Sequence, residues 1–224
     1  MFDNNSQGEV ITTKSSIYSK TFFLMFLGLL ATGFISWYTY SSGFVNNMSN
    51  GTFNLLLILE LVVVFVFSLF FKKLPYVAVE ILFFVYAIIN GITLSTIFAV
   101  FQLNSITIVF FASAVLFGIF AIYGAYTKID LSKISTILYG AIFIGIIVSI
   151  INMFVGNSLV DIILSWVMLL VFFGVTAYDM QRVKNMSMLE NIESDKLYVY
   201  MAMELYLDFI NIFLRVLSIS GKRK

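Results

Sequence analysis

Seven stretches of this chain are almost unbroken runs of apolar side chains, at residues 21–40, 53–71, 77–100, 106–126, 134–155, 159–178 and 197–219. Each is close to the roughly 20 residues that a helix needs to cross the hydrocarbon core of a bilayer. The connections between them are short and polar, which predicts sequential antiparallel helices. The pattern therefore reads as an all-α membrane protein, a seven-transmembrane-helix bundle. A polar N-terminal segment (1–20) precedes the helical domain (21–219), and a short basic tail (220–224) follows it. The single proline, Pro75, is expected to open the third helix, where its missing N–H costs nothing.

Composition agrees. Hydrophobic residues make up 61% and charged residues 11%, against about 25% charged in an ordinary soluble domain. The net charge of +1 gives no reason to expect nucleic acid as a partner. The chain holds no cysteine and no histidine, which removes disulfides, thiol chemistry, histidine acid–base chemistry and the usual zinc and copper ligand sets. A metal here must be held by oxygen, and Ca²⁺ tolerates irregular oxygen geometry best. Residues 1–20 lack the apolar core of a cleaved signal peptide, so the first span is expected to act as its own insertion signal.

Small residues recur four apart at Gly91/Ser95, Ala114/Gly118, Ala121/Ala125 and Ala141/Gly145. Such spacing lets helix backbones approach closely in lipid. Orientation follows from lysine and arginine. With the N-terminus in the cytoplasm, Lys14, Lys20, Lys72, Lys73, Lys128, Lys133, Arg182, Lys184 and Lys196 all fall on the inner side. Seven crossings put Lys222, Arg223 and Lys224 outside, so the seventh segment either crosses against the rule or enters and returns. Seven crossings is the reading adopted.

Acidic residues inside spans are rare, because a charge at the bilayer centre costs about 2.5–3.5 kcal/mol on insertion scales. Asp208 lies about 17 Å along the seventh helix, near the midplane. Glu204 is one turn earlier on the same face, and Asn211 and Arg215 continue that stripe. A purely structural network, with Arg215 neutralising Asp208, is the competing reading, although the two stand about 10 Å apart along the helix. Asp179 is expected at the cytoplasmic end of the sixth helix, followed by Arg182. A modest tilt would bring it near Asp208. Two buried carboxylates in contact cannot both ionise cheaply, so such a pair holds a shared proton or a divalent cation. Glu60, inside the second helix, either lines a cation path or hydrogen-bonds a serine or tyrosine within the bundle. Asp161 is expected just before the sixth helix, as a cap.

At these residues the chain resembles the Bax-inhibitor-one family, the transmembrane Bax inhibitor motif proteins. Glu204-Leu205-Tyr206-Leu207-Asp208-Phe209-Ile210-Asn211-Ile212-Phe213-Leu214-Arg215 is similar to that family's last helix. Ala177-Tyr178-Asp179-Met180-Gln181-Arg182-Val183-Lys184 is similar to the end of its sixth, and Asn90-Gly91-Ile92-Thr93-Leu94-Ser95 is a weaker match in the third. The resemblance implies a bundle whose last helix is central, surrounded by the other six. It implies a pH-sensitive calcium leak in which Asp179 and Asp208 form the proton sensor and calcium-binding gate. Glu204, Glu60, Asn211 and Arg215 are additional candidates. Lys72 and Lys73, with Arg182, are candidates for a basic latch on that sensor.

The expected ligands are Ca²⁺ and protons, with no tightly bound cofactor, in a bacterial plasma (inner) membrane. An alternative is a regulator that binds and restrains a membrane protease or another membrane protein through its polar N-terminus and the 190–196 loop. Other seven-helix readings fit poorly. A retinal protein needs a lysine within a span, and Lys196 stands only at the entrance of the last. An intramembrane aspartic protease needs a glycine-rich signature that is absent around Asp208, so no enzyme is expected.

Overall fold

The computed structural model describes the backbone of residues 4–186 and 194–224, and the side chains of 17–186 and 196–224. Among the described residues the architecture is all-α. The helices are α1 (Asn4–Ser41), α2 (Asn50–Phe70), α3 (Tyr76–Val100), α4 (Leu103–Tyr126), α5 (Ser132–Val155), α6 (Ser158–Met186) and α7 (Ser194–Ser220). All seven contain a stretch long and apolar enough to span a membrane. In lipid every backbone polar group must find an internal partner, and a helix meets that demand within one segment.

Helix ends follow local chemistry. The Ser49 hydroxyl accepts from the Thr52 N–H at 3.1 Å and caps α2. Gly156 closes α5 in the left-handed region, φ 69°, with its N–H on the Asn152 carbonyl at 2.7 Å. Pro75 sits one residue before α3 rather than inside it, and its carbonyl accepts from Ala78 and Val79. Asp161 lies within the first turn of α6, not ahead of it, and its carboxylate accepts from the buried Asn152 amide. The polar N-terminal segment is helical from Asn4 and runs unbroken into the first span. Of the expected 190–196 loop, residues 190–193 lie outside the described residues, and Ser194 already belongs to α7.

The chain divides into two compact units, residues 1–100 with 186–206 and residues 101–185 with 207–224. The first comprises α1, α2, α3 and the first half of α7. Its α1–α3 contact is close because Gly91 has no Cβ; one would lie 2.9 Å from the Thr32 carbonyl oxygen. The Phe67 ring stacks on Tyr200, Phe71 meets Tyr200 at a tilt, and the hydroxyls of Tyr76 and Tyr198 meet at 2.6 Å. The second unit comprises α4, α5, α6 and the rest of α7. Phe110 and Phe117 of α4 meet Phe209 edge-on, and Phe120 stacks on Phe173 at 4.2 Å.

The expected small-residue spacing captures Gly91 and Gly145, whose missing Cβ leaves room for Met168. It does not capture Gly118, which has open space beside it, and it misses the tightest approach of all. A Cβ on Gly124 would overlap the Ala177 carbonyl group.

α7, expected at the centre, is the most deeply buried helix, with 67% of its apolar stretch buried against 6% for α5. It also runs unbroken from Ser194 to Ser220. After α7 the Lys222 carbonyl accepts from Gln102 N–H at 3.0 Å, and the Lys222 N–H donates to the Ser105 hydroxyl at 2.9 Å. The tail is thus tied to the start of α4 within the second unit.

Two outcomes test this arrangement. Gly124→Ala should lower stability in detergent by about 1–3 kcal/mol, while Gly118→Ala should change it by about 0.5 kcal/mol or less, read as thermal melts. Because the chain has no cysteine, single cysteines at Arg223 and Gln102 should label from one side of a sealed vesicle and a cysteine at Lys72 from the other. Labelling of all three from one side would exclude the crossing.

Candidate functional site

The polar run after Tyr178 makes hydropathy end the sixth span at 178, yet α6 continues to Met186. Asp179 is therefore about two turns inside the helix rather than at its end. The extension is held by side chains that reach the α4–α5 connection. Gln181 accepts from the Leu131 N–H at 2.9 Å and donates to the Ile129 carbonyl at 2.8 Å. The Lys184 ammonium donates to the Ala125 carbonyl at 2.8 Å. These bonds fix the turn of α6 that carries Asp179.

Asp179 and Asp208 are both buried, 4% and 3% exposed, and both belong to the second unit. The Tyr139 hydroxyl of α5 donates to Asp179 Oδ1 at 3.3 Å. The register of α6 and α7 is marked by the hydroxyls of Ser165 and Ser218, 3.1 Å apart. Carried along two antiparallel helices, it sets Asp208 level with about Val175 and Asp179 about one turn beyond, ~6 Å along the axis. Among the described residues no three carboxylates gather into a metal cluster. A cation held at these two acids would complete its shell with neutral oxygens or water.

The remaining stripe on α7 is less buried than its surroundings. Glu204, Asn211 and Arg215 are half-buried, whereas Leu205, Tyr206, Phe209 and Ile212 are buried. The Asn211 amide donates to the Leu207 carbonyl of its own helix at 2.8 Å, so this donor is engaged locally. Arg215 Nε is buried without a hydrogen-bond partner. Glu204 lies in the first unit. Lys72 and Lys73 follow the end of α2 and are exposed, and Arg182 is half-buried on α6.

Glu60 has a partner set of its own. Asn90 and Thr93 of α3 stand beside its carboxyl, and the Thr93 hydroxyl donates to the Ile89 carbonyl at 3.2 Å. Asn90 Oδ1 in turn accepts from the Tyr206 hydroxyl at 3.0 Å, and that hydroxyl lies 2.6 Å from the hydroxyl of Thr32 on α1. Four of these residues, Thr32, Asn90, Thr93 and Tyr206, are buried in the first unit. Asn90 and Thr93 stood within the 90–95 motif. No spacing rule linked them to Glu60, because the link runs between helices.

The family model described as "Inhibitor of apoptosis-promoting Bax1" matches residues 14–224. The inner membrane protein YbhL of Escherichia coli K12 is 36% identical over 207 residues, covering 89% of this chain and 88% of its own length. An uncharacterized membrane protein of Streptococcus pyogenes serotype M3 is 31% identical, covering 95% of this chain and 97% of its own. An uncharacterized protein of Borreliella burgdorferi is 30% identical over 100% of this chain and 99% of its own.

One acid outside the spans has a shifted titration. The hydroxyl of Ser132, and then its backbone N–H, donate to Asp130 and hold its carboxyl below the usual aspartate range. The group is fully exposed. A depressed value in the folded state means that any contribution to stability is present above the ordinary aspartate range. It is lost as pH falls through the depressed value. Ser132→Ala should return the Asp130 titration toward that of a free aspartate, measured by NMR of the labelled carboxyl in detergent.

Proposed function

Because the chain belongs to the Bax inhibitor-1 family of membrane proteins, we propose that it is a pH-sensitive calcium leak, gated by Asp179 and Asp208 as a coupled proton and cation sensor. The observation that carries this reading is the burial of both carboxylates on α6 and α7 within one unit. Two acids removed from water within about a turn of each other repel strongly when both are charged. One shared proton relieves that repulsion, and so does a divalent cation. With the proton the pair is closed; without it the carboxylates attract Ca²⁺ and let it pass. Two carboxylates and neutral oxygens make a weak, hard-cation site, which suits passage better than storage.

The activity is transport rather than catalysis, with no resident cofactor and with Ca²⁺ and protons as cargo. Glu204, with one turn of helix between it and Asp208, supplies further negative charge. Arg182, three residues beyond Asp179, is the basic group best placed by sequence to latch the sensor, with Lys72 and Lys73 as the alternatives. The lysine and arginine distribution supports a cytoplasmic N-terminus. The E. coli relative is named an inner membrane protein, which supports a bacterial plasma membrane.

The test is Ca²⁺ flux into proteoliposomes from about pH 6 to pH 8, since two carboxylates that share a site hold one proton more tightly than a lone acid does. The unsubstituted protein should conduct more as pH rises, and Asp179→Asn and Asp208→Asn should each lose that response. Flux and pH response unchanged in both variants would remove the leak and leave a regulator of another membrane protein as the better account.

A further inference from the structure

The hydrogen-bond chain behind Glu60 has a property that a static network would not need. Every link in it can run in either direction. A threonine or tyrosine hydroxyl has one proton to give and can also accept, and an asparagine amide offers an oxygen on one side and an NH₂ on the other. In the direction given by the bond from Tyr206 to Asn90 Oδ1, Thr32 donates to Tyr206, Tyr206 donates to Asn90, and the Asn90 NH₂ is left facing Glu60. That direction ends on an ionised carboxylate, where a charge-assisted bond is strongest.

In the opposite direction a protonated Glu60 donates to Asn90 with its amide turned over, Asn90 donates to Tyr206, and Tyr206 donates to Thr32. The Thr32 proton then needs an acceptor, and one is in place: the Ala87 carbonyl, 3.0 Å away. Thr93 is built the same way. Its hydroxyl stands beside Glu60 and donates to the Ile89 carbonyl at 3.2 Å. Each hydroxyl therefore has an acceptor for the state in which Glu60 does not need its proton.

The surroundings hold the chain in place. The Tyr206 ring is clamped edge-on by Phe83 and Tyr86, at 5.7 Å and 5.8 Å. Gly28 gives it room, since a Cβ there would stand 3.3 Å from the ring. The titratable groups facing Glu60 are the phenols of Tyr86 on α3 and Tyr206 on α7, and α1 presents the Thr32 hydroxyl to the chain. Glu60 Oε1 is buried without a hydrogen-bond partner, so the carboxyl depends on its few donors.

We propose that Thr32, Tyr206 and Asn90 are positioning residues forming a reversible hydrogen-bond chain, directed toward Glu60 when its carboxyl is ionised and away when it is protonated. The chain makes Glu60 a second protonation site, in the unit that does not contain Asp179 and Asp208. No bond other than hydrogen bonds is made or broken, and the one proton gained or lost belongs to Glu60.

The experiment is an infrared titration of the full chain in lipid, following the carboxylic-acid carbonyl band that Glu60→Gln removes. Tyr206→Phe keeps the clamped ring and deletes the hydroxyl. The Glu60 band should then appear about one pH unit higher than in the unsubstituted protein, because the bond that turns the Asn90 NH₂ toward the charged carboxylate is lost. Thr32→Val should shift it in the same direction by less. Melting curves identify folded variants, and if Tyr206→Phe does not fold, Thr32→Val carries the test. A Glu60 band absent at every pH, or unmoved in the folded variants, overturns the proposal. The titration is independent of transport, so a shifted band in a protein that does not conduct would retire the leak and leave the chain standing.

Discussion

Polar groups inside a bilayer have no water to turn to, and that constraint organises this protein from the backbone upward. It makes each span a helix, since only a helix or a closed barrel satisfies its own N–H and C=O groups in lipid. It then acts on side chains. Asn211 and Thr176 give their donors back to their own helices. Thr32, Tyr206 and Asn90 close on one another beside Glu60, and Thr93 gives its proton to its own helix. Asp179 takes a bond from Tyr139. The acids that remain in such an environment are expensive, and their partners are what a functional reading has to explain.

The same constraint governs packing. Lipid tails are as apolar as leucine, so burying apolar surface does not by itself drive these helices together. Close approach does, through dispersion contacts and the geometry that small residues permit. Gly124 against the Ala177 carbonyl and Gly91 against Thr32 and Ile35 are where backbones come nearest. Both lie close to the polar sites of their own units: Ala177 is two residues from Asp179, and Gly91 follows Asn90. The tight contacts and the polar sites are neighbours because a well-fixed backbone is what holds a buried polar group in register with its partner.

Much of this was legible in the chain as written. The number, order and approximate extent of the helices follow from hydropathy, because the length of an apolar run answers directly to bilayer thickness. Asp179, Glu204, Asp208 and Glu60 were conspicuous for the same reason, as acids in apolar surroundings. The true length of α6 was not legible. Hydropathy reports where a helix leaves lipid, and the last turns of α6 are held by Gln181 and Lys184 reaching a connection some fifty residues away in sequence. Spacing of small residues marked Gly91 and Gly145 but passed over Gly124, because whether a glycine is needed depends on what faces it.

The sequence by itself determined a seven-span membrane protein of the Bax inhibitor-1 family and singled out its improbable acids, since cost in lipid is a property of each residue and its immediate neighbours. Only the tertiary structure decided which groups answer those acids. Tyr139 for Asp179, and Asn90 with Thr93 for Glu60, lie on other helices, brought there by packing and register that no local pattern encodes. It also tied the tail after α7 to Ser105 at the start of α4, a partner more than a hundred residues earlier that no local pattern points to.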